Sequence, residues 1–92
     1  MESKSIVKPP ESRRIKAGMV KLLPGEEVGA HVTEGREEII VVTKGVGRLE
    51  IAGSGEKIEE GKAYFVGEGK LHNVRNDSSK RLEYFYITAG LD

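Results

Sequence analysis

The sequence predicts an all-β chain: about eight short antiparallel strands, closed into a barrel or folded as a jelly roll. The apolar runs Ile39–Val42, Ala63–Val66 and Glu83–Thr88 are dominated by β-branched and aromatic side chains, which suit a pleated, half-buried surface. Turn signals recur at short intervals, at Gly25, Gly35, Gly45 and the Gly53-Ser54-Gly55 turn. No stretch of ten or more residues keeps a helical period behind a capping residue. A sheet without helices to cover it must dispose of its own edges, and closure does so.

Strands are expected near residues 18–23, 28–33, 38–44, 46–52, 56–59, 62–66, 71–76 and 81–88. Residues 1–14, with Pro9-Pro10 and many charges, read as an extended N-terminal arm, and residues 15–92 as a single domain. Strand side chains alternate faces, so Ile40 and Val42 share the face of Glu38 while Ile39 and Val41 point the other way. Residues 82–87 are likewise apolar on both sides. A strand with one solvated face alternates more cleanly, so a second sheet or another subunit should cover these surfaces. The core of a 92-residue chain is also thin, and association is the usual remedy. The expectation is a two-fold homodimer, with the arm or an outer strand at the interface.

Composition narrows the function. Fifteen basic and fifteen acidic residues are mixed along the chain, and Arg13-Arg14 is the longest hint of a basic stripe, which argues against nucleic acid. There is no apolar run near the ~18 residues of a membrane span, and the opening MESKSIVKPP lacks the apolar region of a signal peptide. The absence of cysteine removes disulfides, thiolate metal sites and cysteine nucleophiles, and fits a cytoplasmic location.

The chemistry rests on two histidines, His31 and His72, each on a β-segment beside glycine-rich turns. Neutral imidazole is the commonest protein ligand for transition metals, and a carboxylate often completes the set. Glu34, Glu37 and Glu38 are the candidates, because a strand running from 28 and one beginning at 38 bring His31 close to one of them across the connecting loop.

At this point the sequence resembles the cupin family, through two motifs between Gly25 and Asn76. The first family motif is Gly, five residues, His, one residue, His, three or four residues, Glu, six residues, Gly; this chain has Gly25, His31, Thr33, Glu38 and Gly45 at those intervals. The second is Gly, five residues, Pro, one residue, Gly, two residues, His, three residues, Asn; here it reads Gly61, Gly67, Gly69, His72 and Asn76. The resemblance implies a cupin or jelly-roll β-barrel with a divalent metal (Mn, Fe, Ni or Zn) in its mouth, held by His31, Glu38 and His72. It also implies that Glu34 and Glu37 are solvated loop charges. Gly67 replaces the family proline, a modest change at a turn. Thr33 replaces the family's second histidine, which leaves three protein ligands instead of four and implies weaker metal affinity.

The motif glycines and Asn76 are read as turn-forming, Tyr64, Tyr84 and Tyr86 as packing residues, and Arg48 and Arg75 as surface. Three functions stay open: a metal-dependent enzyme on a small molecule, of dioxygenase or sugar-phosphate isomerase type; a barrel that binds a small-molecule ligand without turnover; and a structural barrel with a vestigial site. Whether the chain is an enzyme is not decided by its sequence.

One third of the residues are charged, Lys and Glu dominate, glutamine is absent and asparagine occurs only at 73 and 76. Heat-adapted proteins share that bias. Thermal unfolding followed by circular dichroism is expected to show a midpoint above ~90 °C; one near 45–65 °C would refute the heat-adapted reading.

Overall fold

A computed structural model describes residues 1–91. The strands run in the order β1 (Glu2–Val7), β2 (Ile15–Leu22), β3 (His31–Val32), β4 (Arg36–Lys44), β5 (Val46–Ile51), β6 (Ser54–Glu59), β7 (Ala63–Val66), β8 (Leu71–Arg75) and β9 (Leu82–Gly90). There is no helix among the described residues, and so none long and apolar enough to cross a membrane. The strands form a five-stranded sheet, β1-β2-β9-β4-β7, and a four-stranded sheet, β3-β8-β5-β6, with antiparallel pairing throughout.

The alternation read from the sequence sorts the side chains. Along β4, Glu38, Ile40 and Val42 are buried, while Ile39 is 43% exposed. Val20, Leu22, Leu82 and Tyr84 join Ile40, Val42 and Val66 from the five-stranded sheet, and Leu49, Ile58 and Val74 meet them from the other. Each fully buried aliphatic side chain contributes about 1.5–3 kcal/mol through the water it leaves. This inner layer is the second sheet's cover for one of the two apolar faces.

The other face is left largely uncovered by the described residues. Ile87, Ile39 and Phe65 stand side by side on β9, β4 and β7, in register, and are 41%, 43% and 59% exposed. Phe85 and Val41 form the adjacent outward pair and are half-buried.

Two segments depart from the expected strands. The arm contributes a ninth strand, since residues 2–7 pair with β2 as an edge strand with a bulge between Ser5 and Val7. Its side chains are polar on both faces up to Ile6, so main-chain hydrogen bonding sets its position rather than burial. Conversely, the segment expected as strand 28–33 keeps only His31–Val32 as ladder. Ahead of it the backbone pairing is broken into single contacts: Glu27 forms an isolated bridge with Arg75 and the Val28 N–H donates to the Val74 carbonyl at 3.0 Å, whereas the Gly29 N–H donates to the side chain of Asn73, at Oδ1, at 2.8 Å.

The motif residues read as turn-forming act as such. Gly45 has a φ of +84°, and a Cβ there would sit 2.3 Å from the Arg81 carbonyl oxygen, so the β4–β5 hairpin closes only with glycine. Asn76 is buried and ties the β8–β9 connection to β2. Its Nδ2 donates to the carbonyls of Leu22 (2.9 Å) and Lys80 (2.7 Å), and its Oδ1 accepts from the backbone and hydroxyl of Ser78. Gly67, at the family's proline position, has a backbone conformation and surroundings that tolerate a side chain.

Candidate metal centre

The register of the four-stranded sheet sets His31 on β3 directly opposite His72 on β8. Their ring centroids are 4.2 Å apart with the planes tilted by 55°. Each ring is held by its own strand. The Nδ1 of His31 donates to the Gly29 carbonyl and that of His72 to the Lys70 carbonyl, both at 2.8 Å and both two residues upstream. An imidazole that spends its proton at Nδ1 carries a lone pair at Nε2, the tautomer a metal requires.

Glu38 reaches the same point from β4, in the opposite sheet. Its Oε1 lies 3.3 Å from His72 Nε2, with the two side chains 10% and 1% exposed. Despite that distance, His72 Nε2 has no hydrogen-bond partner. Leaving a buried polar atom such as His72 Nε2 unsatisfied costs about 1–3 kcal/mol, and a cation bound between it and the carboxylate would remove that cost. One ligand atom each from His31, Glu38 and His72 lie within 4.8 Å of one another. Two atoms about 2.1 Å from one ion, at tetrahedral or octahedral angles, stand roughly 3.0–3.4 Å apart, which matches the His72–Glu38 separation. Two imidazoles and a carboxylate suit Mn, Fe, Ni or Zn.

The cluster opens into a cavity of about 470 Å³ between the sheets. Thr33 lines it, and its hydroxyl donates a long, weak hydrogen bond of 3.4 Å to Glu38 Oε1. Tyr84 and Tyr86 line it too, so two residues read as packing also form its wall. Burial, reinforced by the negative charge of Glu38, holds the Tyr84 phenol well above its ordinary pKa, and it stays a neutral hydroxyl at physiological pH. The Tyr86 ring lies against Gly18, where a Cβ would come within 2.5 Å of the phenolic oxygen; a larger residue would push the ring from its place. Tyr64 is elsewhere, its hydroxyl accepting the Glu59 N–H at 2.9 Å. Arg75 pairs with Glu27 and Glu50 outside the cavity, and Arg48 is exposed. Glu37 is exposed, whereas Glu34 reaches the cavity rim.

Lys16 and Arg36, which the sequence reading passed over, line the cavity as well. Alternation contains the signal for both. Arg36 precedes Glu38 by two residues, and Lys16 precedes the inward positions Gly18, Val20 and Leu22 by steps of two.

The family model described as a cupin domain matches residues 18–88. An oxalate-binding protein of Thermotoga maritima is 32% identical over 68 residues, covering 74% of this chain and 56% of that protein, so the chain spans little more than half of that relative's length. Among solved structures, TT1209 from Thermus thermophilus is 25% identical with a TM-score of 0.88, covering 100% of this chain and 85% of its own. A predicted oxalate decarboxylase from Thermotoga maritima is 30% identical with a TM-score of 0.79, covering 83% of this chain and 66% of its own.

The ligand set is tested by substitution. His72→Ala is expected to weaken metal binding by more than the 10–100-fold, roughly, that loss of an outer-shell partner costs. Unchanged metal content in that variant, by elemental analysis, refutes the assignment. Thr33→His adds a further imidazole on the cavity wall, and competitive chelator titration should show tighter binding than wild type; equal or weaker binding with the fold intact means that position 33 does not face the ion.

Proposed function

Because the chain belongs to the cupin domain family, we propose that it holds Mn, Fe, Ni or Zn at His31, Glu38 and His72 and uses that ion to bind a small carboxylate-bearing metabolite in the cavity. The observation that carries this reading is the buried His72 Nε2, aimed at Glu38 with no hydrogen-bond partner. The oxalate-binding relative supports a carboxylate as the ligand class. A bound ion supplies Lewis-acid polarisation of a ligand oxygen. The chain's own residues do the rest. Val20 from one sheet and Val28 and Val74 from the other side give the cavity an apolar lining, and the Tyr84 hydroxyl stays protonated to offer a hydrogen bond at physiological pH.

The lining favours binding over turnover. Among the described residues, the only lining carboxylate besides Glu38 is the exposed Glu34 at the rim, and Tyr84 is held protonated, so none of these side chains is placed as a general base. Dioxygenase or sugar-phosphate isomerase chemistry remains the alternative on the same ligand set.

Calorimetry with oxalate separates these ideas from a vestigial site. Chelator-stripped protein should show no heat of binding, and protein reloaded with Mn should bind; equal binding by both forms would overturn the metal-dependent reading.

A homodimer belongs to the same proposal. The exposed row Ile87, Ile39 and Phe65 supports the outer face of the five-stranded sheet as its interface. Sedimentation at micromolar concentration should give twice the 10.1 kDa chain mass, and Ile39→Glu, which sets a charge in the middle of that row, should return it to 10.1 kDa. A monomeric wild type refutes the dimer.

A further inference from the structure

We propose that the cavity takes a two-headed anion: a carboxylate head that chelates the ion, and a second anionic group received by Lys16 and Arg36. This rests on the metal-centre reading and names its ligand more narrowly.

The placement follows from register. Lys16 on β2, Thr88 on β9 and Glu38 on β4 form one inward cross-strand row, since Lys16 pairs with Thr88 and Thr88 with Glu38. At about 4.8 Å per strand, the Lys16 and Glu38 backbones stand roughly 10 Å apart, a gap to be shared by the lysine side chain and a ligand. Arg36 enters the same row from the side. Its Nε donates to Thr88 Oγ1 at 2.8 Å and its Nη2 to the Arg14 carbonyl at 2.7 Å. Those two bonds fix the guanidinium plane and leave Nη1 to donate elsewhere.

Among the described residues neither cation has a counter-ion: no carboxylate lies within 4.0 Å of Lys16 or Arg36, whereas Lys21, Lys57, Lys62, Arg75 and Arg81 all pair with glutamates. Two cations without a counter-ion among the described residues, on the wall that also carries Glu38 and across the cavity from His31 and His72, make an anion subsite beside the metal-ligand cluster. An arginine fixed in plane is suited to carboxylate or phosphate oxygens.

Size points the same way. Even if each of oxalate's six heavy atoms took the room of a liquid water molecule, about 30 Å³, oxalate would fill roughly 180 Å³. The cavity holds about 470 Å³. A ligand that spans it must be longer than oxalate, and the chemistry at its far end must be anionic.

Matched pairs of α-hydroxy acids test this, because they share a chelating head and differ in the tail. Lactate is compared with malate, and glycerate with 3-phosphoglycerate, by calorimetry on Mn-loaded protein, with oxalate as the compact reference. Wild type should bind at least one charged-tail member about tenfold or more tighter than its partner, the worth of a charge-assisted hydrogen bond. The pair with the larger ratio distinguishes a carboxylate tail from a phosphate tail. Lys16→Met and Arg36→Gln should each remove most of that preference while leaving metal content, lactate affinity and circular dichroism unchanged. Ratios near one in wild type, or a preference retained in both variants, overturn the subsite while leaving the metal centre standing. Failure of Mn-loaded protein to bind any of the five acids, or failure to load, overturns the metal-centre reading and the subsite with it.

Discussion

Nε2 of His72 and Oε1 of Glu38 face each other 3.3 Å apart across the gap between the two sheets, and neither sheet can relax away without exposing the inner layer of side chains. The fold holds the two atoms close together without a hydrogen bond between them. The Nδ1–H bond to the Lys70 carbonyl holds the imidazole so that its Nε2 points at the carboxylate, and burial keeps bulk water from that atom. A cation bound there would satisfy both atoms. His31, turned to the same point by an equivalent bond to Gly29, completes a cluster of three side chains able to hold a metal ion.

The scaffold follows from that requirement. Placing ligands from both sheets at one point demands that each sheet present its functional face inward at a fixed register. The strands do so by alternation: Glu38 shares its face with Ile40 and Val42, and Tyr84, Tyr86 and Thr88 share theirs with Leu82. The apolar members of each face make the core, and the polar members near one end line the cavity. The loops at that end are tied together. Gly35 N–H donates to Glu68 at 3.0 Å and Gly69 N–H to the Thr33 carbonyl at 3.3 Å, so the segments bearing Thr33 and His72 are linked beside the mouth.

Thr33 shows how a single position changes what such a site can accept. Where the family motif has imidazole, a hydroxyl now touches Glu38 and lines open space. The cluster holds one fewer strong donor, and the cavity has more room beside it. Lys16 and Arg36, from the opposite sheet, add positive charge to the lining of the same cavity.

The local periods and intervals of the sequence determined the strand phases, the position of the turns and which three side chains, His31, Glu38 and His72, come together, because alternation is a nearest-neighbour property and motif spacing fixes which side chains can meet. Most of the strands carry an apolar or β-branched signal that marks them. Glu2–Val7 opens with four polar residues, Glu2 to Ser5, that say nothing about pairing, and the free main-chain edge of β2 decides that it becomes a strand. The segment 28–33 has the strand signal yet keeps only two residues of ladder, because Asn73, buried from the neighbouring strand, takes the Gly29 N–H. Tertiary structure also decided which charges face inward. Arg36 and Thr88 are 52 residues apart in sequence, and Lys16 and Thr88 are 72 apart; their meeting depends on the β2-β9-β4 order, which no local pattern contains. Long-range register sets what shares a cavity, whereas the sequence by itself sets only which way each residue points.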